Sequence, residues 1–266
     1  MIALHVRVAR EHAEAVLAEL VDLAPGGFEE RDAGDAVDYV LYGAAGELPA
    51  LADLRAAAGA ALVDISTEDV ADDWAERWKA FHQPVDVGPL RVRPPWSPAR
   101  EGAIDIVVDP GQAFGTGGHH TTRLCLELLL EQAPGGALAD WGCGTGVLAI
   151  AAAKLGWSPV FGVDHEIAAV EATEVNAHAN GVPVAVERGD LRHAPGPWAP
   201  TVVANLVRPL LLDVARVMDR PPETLIVSGL LRQEGDEIAT KFARHGLRER
   251  RRRHSGEWSA LTLERA

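Results

Sequence analysis

Apolar and polar residues alternate one for one over IALHVRVA, residues 2–9, the period of a half-buried strand. The spacing then changes to three and four over EHAEAVLAELVDL, residues 11–23, which predicts an amphipathic helix. APGG breaks the pattern as a turn, and FEERD and AVDYVLYG read as two short strands around Asp32–Asp35. A second helix follows in ELPALADLRAAAG, with proline in its expected first turn and glycine at its end. ALVDISTEDV closes the series as a strand. The order βαββαβ predicts a ferredoxin-like sandwich over residues 1–70.

DDWAERWKAFHQ, residues 72–83, is patterned as a short helix carrying Trp74, Trp78 and Phe81, and packing is the expected use of those aromatics. PVDVGPLRVRPPWSP reads as an extended connector with a strand in it, so residues 71–98 are expected to link two domains. From about residue 104 apolar strands alternate with long helices: ALADWG, SPVFGVD, VAVERGD, TVVANL and ETLIVSG. That alternation predicts a doubly wound α/β sheet across a domain of residues 99–266. The last stretch, LRERRRRHSGEWSALTLER, reads as two strands joined near Ser255–Gly256.

A length of 266 residues suits two cores better than one, and 47% hydrophobic against 24% charged residues excludes a disordered chain. Only two cysteines occur, Cys125 and Cys143, both in apolar segments, which favours reduced thiols and a cytoplasmic setting over a disulfide framework. The first residues lack the basic start and apolar run of an export signal, and the most apolar stretch is broken by Asp140 and Lys154, so no membrane span is expected. Charge sharpens the picture. Residues 1–70 hold 4 Lys+Arg against 14 Asp+Glu, a balance of −10 out of the whole chain's −14. Such a segment repels phosphate backbones and attracts basic partners. RERRRRH at 248–254 resembles a nucleic-acid patch, but as a strand it would expose alternate arginines on a solvated sheet face. Direct recognition of nucleic acid is therefore not expected.

The chemistry concentrates in a few stretches. LADWGCGTGVLAIAAAKLG places Asp140 before glycines at 142, 144 and 146. A dinucleotide fingerprint would need its third glycine at Val147, so the D-x-G-x-G-x-G spacing points instead to S-adenosylmethionine. That ligand has an amino-acid tail rather than a pyrophosphate, so backbone must come close without Cβ atoms in the way. Asp140 is placed to accept from its ammonium, directly or through water. Asp164 ends the next strand, 22 positions after Gly142, where a carboxylate can accept both ribose hydroxyls. Asp190 ends the third strand and could face the adenine amino group, or simply cap a helix. Asn205 lies at the carboxyl edge of the fourth strand, the side on which open α/β sheets bind ligands. Its side-chain carbonyl and the backbone carbonyl of Leu206 could together hold an amine. Ahead of all this stands DPGQAFGTGGHHTTRLCLELLLE, residues 109–131, a flexible polar loop running into a helix. It could be a metal site, a phosphate cradle or a wall of the cofactor pocket. Adjacent histidines diverge and no carboxylate or cysteine lies at ligand spacing, so no metal is expected at His119–His120. A hydrogen bond at the start of the helix is the plainer role for His119.

Over essentially the whole chain the sequence resembles the ribosomal protein L-eleven methyltransferases (PrmA). DDWAERWKAFHQPVDVGPLRVRPPW, the FGTG-x-H-x-TTRL pattern, LADWGCGTGVLAIAAAKLG, VVANL, SGLL and SGEWSALTLER carry the likeness. The resemblance implies an N-terminal ferredoxin-like domain that recognises substrate and a C-terminal Rossmann-like class I methyltransferase domain. It also implies transfer from S-adenosylmethionine to the N-terminal α-amine and lysine ε-amines of a basic ribosomal protein, by a chain expected to be a monomer. Thr121, Gly142, Asp164 and Asn205 stand at the family's cofactor-binding positions. Phe114, Gly115 and Thr116 would form a flap over the cofactor, and Thr121, near a positive helix end, would bind its carboxylate. The chain departs from the usual pattern at Gly118, His120, Pro200–Thr201 and the spacing after Asn205. Two other readings remain open: transfer to another protein or small-molecule amine, and a non-catalytic module that only binds the cofactor.

Overall fold

A computed structural model describes residues 2–13, 16, 20, 29–43, 48–69, 82–109 and 117–266. The chain divides into two compact units, Met1–Phe81 and His82–Ala266.

In the first unit β1 (Ile2–Ala9) pairs antiparallel with both β3 (Ala36–Gly43) and β4 (Leu62–Asp69), and β2 (Glu29–Ala33) completes the order β2-β3-β1-β4. The alternation in IALHVRVA does what its period demands: Leu4, Val6 and Val8 join Val37, Tyr39 and Leu41 in one core. Ala13, Val16 and Leu20, spaced as one helical face, enter the same core. The rest of that expected helix lies outside the described residues. Helix α1 (Leu51–Ala58) adds Leu54 and Ala58. It starts after Ala50, so Pro49 precedes the helix instead of occupying its first turn as expected.

The second unit is built on a seven-stranded sheet. Its strands are β8 (Leu138–Trp141), β9 (Val160–Asp164), β10 (Ala185–Arg188), β11 (Thr201–Asn205), β12 (Thr224–Leu231), β13 (Leu247–Ser255) and β14 (Trp258–Arg265). They run in the order β10-β9-β8-β11-β12-β14-β13. Strands β8 to β12 are parallel and β14 returns antiparallel. The order reverses between β8 and β11, which opens the crevice where such sheets bind ligands. Helices α2 (His120–Leu130), α3 (Val147–Leu155), α4 (Ile167–Ala179), α5 (Arg208–Val217) and α6 (Gly235–Ala243) link and cover the strands. The first six residues of α3, all apolar, are buried, and Gly156 ends the helix in the left-handed conformation that only glycine adopts freely.

The sequence pattern misses one element. Val85–Val87 (β5), Leu90–Arg93 (β6) and Ile104–Val107 (β7) form a separate three-stranded sheet. Val87, Leu90, Val92 and Ile106 share a core with Leu124 and Leu128 of α2. Most of the stretch that reads as a connector is thus structured within the second unit. The helix expected over 72–83, with Trp74, Trp78 and Phe81, lies outside the described residues except for His82 and Gln83.

Candidate active site

A cavity of about 580 Å³ opens where the strand order reverses. Thr121, Gly142, Gly144, Asp164, Asp190, Asn205 and Leu206 all contribute to its wall, as do His119, Gly229 and Trp258. Phe114, Gly115 and Thr116 fall outside the described residues, so the expected flap has no structural account.

Helix α2 delivers Thr121. His119 precedes the helix in an extended conformation, and its Nδ1 accepts from the Thr121 amide and lies 2.7 Å from the Thr121 hydroxyl. This satisfies one of the helix's orphan N–H groups, the work normally done by Ser, Thr, Asp or Asn. The His119 ring packs edge-on against Trp258 with centroids 4.9 Å apart, while His120 Nδ1 meets the Ser255 hydroxyl at 2.8 Å. Burial lowers the pKa of His119, with His120 adding to the effect, so the ring favours the neutral form that can accept.

The glycine turn follows β8. Gly142, Gly144 and Gly146 all have positive φ, and the Gly144 and Thr145 carbonyls accept from Thr173 and Asn176 of α4, at 2.8 and 2.9 Å. A Cβ on Gly142 would overlap the Leu206 side chain; one on Gly146 would stand 2.7 Å from Thr173 Cγ2. Packing against protein, besides any approach of ligand, therefore demands glycine here. Gly146 caps α3 and does not line the cavity. Nor does Asp140. Its carboxylate is 1% exposed, Oδ2 accepts from the Ala149 amide at 3.1 Å, and Oδ1 has no partner among the described residues. Burial pushes its pKa up to about 7, the Ala149 N–H pulls against this, and Asp164 adds to it.

Asp164 ends β9 and uses both oxygens locally, Oδ2 from the Gly144 amide at 3.0 Å and Oδ1 from the Glu166 amide at 3.1 Å. The carboxylate is thereby fixed on the glycine turn with lone pairs left over. Asp190 is clasped by Arg192 through two side-chain hydrogen bonds of 2.8 and 2.9 Å and one backbone N–H at 3.0 Å. Those bonds hold its pKa far below the usual carboxylate range. It lines the cavity, and what it caps is a turn at residues 191–194 rather than a helix.

Asn205 closes β11. Its Nδ2 donates to Thr122 Oγ1 at 3.3 Å, which keeps Oδ1 as the acceptor side of the amide. The Leu206 amide donates to the Ser228 carbonyl at 3.0 Å. Several contributors escape the sequence reading: Gly229, Trp258, Thr173 and Asn176 of α4, and Asn180, which caps that helix's C-terminus. Asn176 Oδ1 accepts from the Asp109 amide at 3.1 Å, and Asn180 brackets Val107 through both its N–H and C=O, so one helix face holds both the glycine turn and the chain leading to the loop. The available signal was polar residues at 173, 176 and 180, one helical stripe with no solvent-facing logic.

A family model described as ribosomal protein L11 methyltransferase (PrmA) matches residues 46–266. The ribosomal protein L11 methyltransferase of Pseudomonas putida is 40% identical over 202 residues, covering 72% of this chain and 68% of its own length. That of Burkholderia vietnamiensis is 33% identical over 272 residues, covering 90% of each. Among solved structures, the ribosomal protein L11 methylase from Lactobacillus delbrueckii subsp. bulgaricus is similar with a TM-score of 0.63 and 27% identity, over 69% of this chain and 99% of that one.

Proposed function

Because the chain belongs to the ribosomal protein L11 methyltransferase (PrmA) family, we propose that its cavity holds S-adenosylmethionine and passes methyl groups to amines of that ribosomal protein, the N-terminal α-amine and lysine ε-amines. The observation that carries the reading is the meeting of a glycine turn, Asp164 and the Asn205–Leu206 strand end in one cavity at the sheet's reversal point. The donor set fits. Gly142 and Gly144 offer backbone without Cβ atoms, Asp164 offers spare lone pairs for ribose hydroxyls, and Thr121 offers a hydroxyl beside a positive helix end. Asp140 keeps a buried oxygen without a partner, suited to an ammonium reached through water. Asp190 would face the adenine amino group. When bound, S-adenosylmethionine supplies a methyl on a positively charged sulfur, which leaves as a neutral thioether.

The amine must present a free lone pair. A lysine of pKa about 10.4 is almost wholly protonated at neutral pH, and an α-amine of about 7.7–8.0 much less so. Leu206, Val207, Pro209 and Leu210, which follow Asn205 in the cavity wall, offer no base, and the carboxylate of Asp213, also in that wall, is engaged by Arg216 at 3.0 Å. Desolvation beside a cationic sulfur lowers the amine's pKa, and Asn205 Oδ1 with the Leu206 carbonyl orients the neutral amine by two acceptors.

We assign residues 1–70 to holding the ribosomal protein. Supporting this are the strand order β2-β3-β1-β4, the ferredoxin-like arrangement, and the −10 balance, which suits a basic partner. Residues 99–266, together with β5 and β6, then carry the chemistry. Asp164→Ala should weaken S-adenosylmethionine binding by about 1.5–3 kcal/mol, the scale of hydrogen bonds to a charged group. Calorimetry giving an unchanged affinity would refute the cofactor assignment.

A further inference from the structure

Gly229 sits inside β12, where glycine normally weakens a strand, and its φ is +83°. The pairing of β12 with β14 slips there: Val227 faces Leu261 and Leu230 faces Ser259, so two residues, Ser228 and Gly229, oppose Ala260 alone. This is a β-bulge, a device that re-aims backbone beside functional sites. It is pinned by the Ser228 hydroxyl, which donates to the Ser259 carbonyl at 2.9 Å. On its other side the Ser228 carbonyl accepts from the Leu206 amide at 3.0 Å. A Cβ added to Gly229 would overlap the carbonyl oxygen of Leu206 and come within 3.0 Å of its nitrogen. These are backbone atoms of a residue whose side chain is itself pressed against Gly142. Leu206 therefore cannot step aside cheaply, being wedged between two left-handed glycines, one just after β8 and one inside β12.

We propose that Gly229 is a positioning residue for methyl transfer: its bulge and missing Cβ let the Leu206 peptide sit where its carbonyl can hold the acceptor amine. This rests on the reading that Asn205 and Leu206 hold that amine, and adds how the fold sets the second acceptor. The nearest atoms an added Cβ at 229 would meet all belong to the Leu206 peptide, and none belongs to Asp164 or Thr121, so it acts on transfer more than on cofactor affinity.

The test compares Gly229→Ala and Gly229→Asn with Asn205→Ala, measuring kcat on the ribosomal protein and the Kd of S-adenosylhomocysteine. Both Gly229 variants carry the Cβ, but asparagine tolerates positive φ far better than alanine. Displacement of Leu206 predicts a similar loss of kcat in both, roughly tenfold or more, the scale of one misplaced hydrogen bond, with Kd changed less than about threefold. If Gly229→Asn keeps wild-type kcat, strain rather than position explains any loss in Gly229→Ala, and the inference is overturned. Loss of homocysteine-product binding in step with activity in Gly229→Asn overturns it as well. Should Asn205→Ala keep its rate, the amine-holding reading itself falls. A slow Asn205→Ala beside fast Gly229 variants removes only the role of Gly229.

Discussion

His119 serves the helix that carries Thr121 only while its Nδ1 is free to accept. Its folded pKa is lowered by burial, so the capping interaction is fully present above the unfolded value of about 6.5 and is lost as pH falls through the folded one. Affinity for S-adenosylmethionine should therefore weaken on acidification below about pH 6.5. An asparagine caps without titrating in this range, so His119→Asn should flatten that dependence while keeping near-wild-type affinity at neutral pH. Calorimetry across the range decides, and equal slopes in both proteins would exclude His119 as the origin. At this scale the cavity wall was largely legible. Gly142, Asp164 and Asn205 are residue types demanded by a ligand's chemistry at fixed spacing from strand ends, Thr121 is carried over from the family resemblance, and all four line the cavity. Gly229 and Thr173 were not, because their roles depend on Leu206 and the glycine turn, partners far away in sequence. Gly146 was expected to touch the cofactor and Asp140 to reach its ammonium directly or through water; neither lines the cavity, which leaves Asp140 only the route through water.

Helix α2 is held at both ends by β13. His120 meets Ser255 at its start; at its end Glu131 accepts from Arg251 Nε at 2.8 Å and Arg253 Nε at 2.7 Å. Arg252 turns to the opposite face, toward Asp236 and Glu249. The arginine run is therefore paired with the chain's own acids on two faces, and the sequence reading of a solvated face showing alternate arginines described only half of it. Glu131 has its pKa lowered by the bond from Arg251, opposed by some burial and helped by Arg253. The arginines are largely exposed, so screening discounts the pair. Glu131→Gln should cost about 0.5–1 kcal/mol at low salt and less at high salt. Denaturant titration at two salt concentrations checks this, and a salt-independent loss would mean packing, not charge, binds α2 to the strand. Long alternating elements were readable because one period spans many residues. The β5–β7 sheet was not: its strands are three or four residues long, broken by glycine and proline, and one pair is parallel and distant in sequence.

Across the whole molecule the dominant asymmetry is charge, with −10 in residues 1–70 and −4 in the remaining 196. If the acidic segment draws in a basic substrate, added salt should lower kcat/KM several-fold between about 0.05 and about 0.5 M while the Kd of the cofactor changes little. Stopped-time assays at matched cofactor saturation measure this, and a kcat/KM indifferent to salt would remove the electrostatic role. Composition alone made the asymmetry legible, whereas the division between Phe81 and His82 needed the fold, since β5 and β6 look like linker until their core partners in α2 are known. The central claim is that methyl groups travel from S-adenosylmethionine to amines of ribosomal protein L11. Intact-mass analysis of that protein, after incubation with this enzyme and the cofactor, tests it most directly. The account predicts mass gains in whole methyl steps, mapping to the N-terminal α-amine and lysine side chains and strongly reduced by Asn205→Ala. A substrate of unchanged mass, under conditions where the enzyme binds the cofactor, would contradict it.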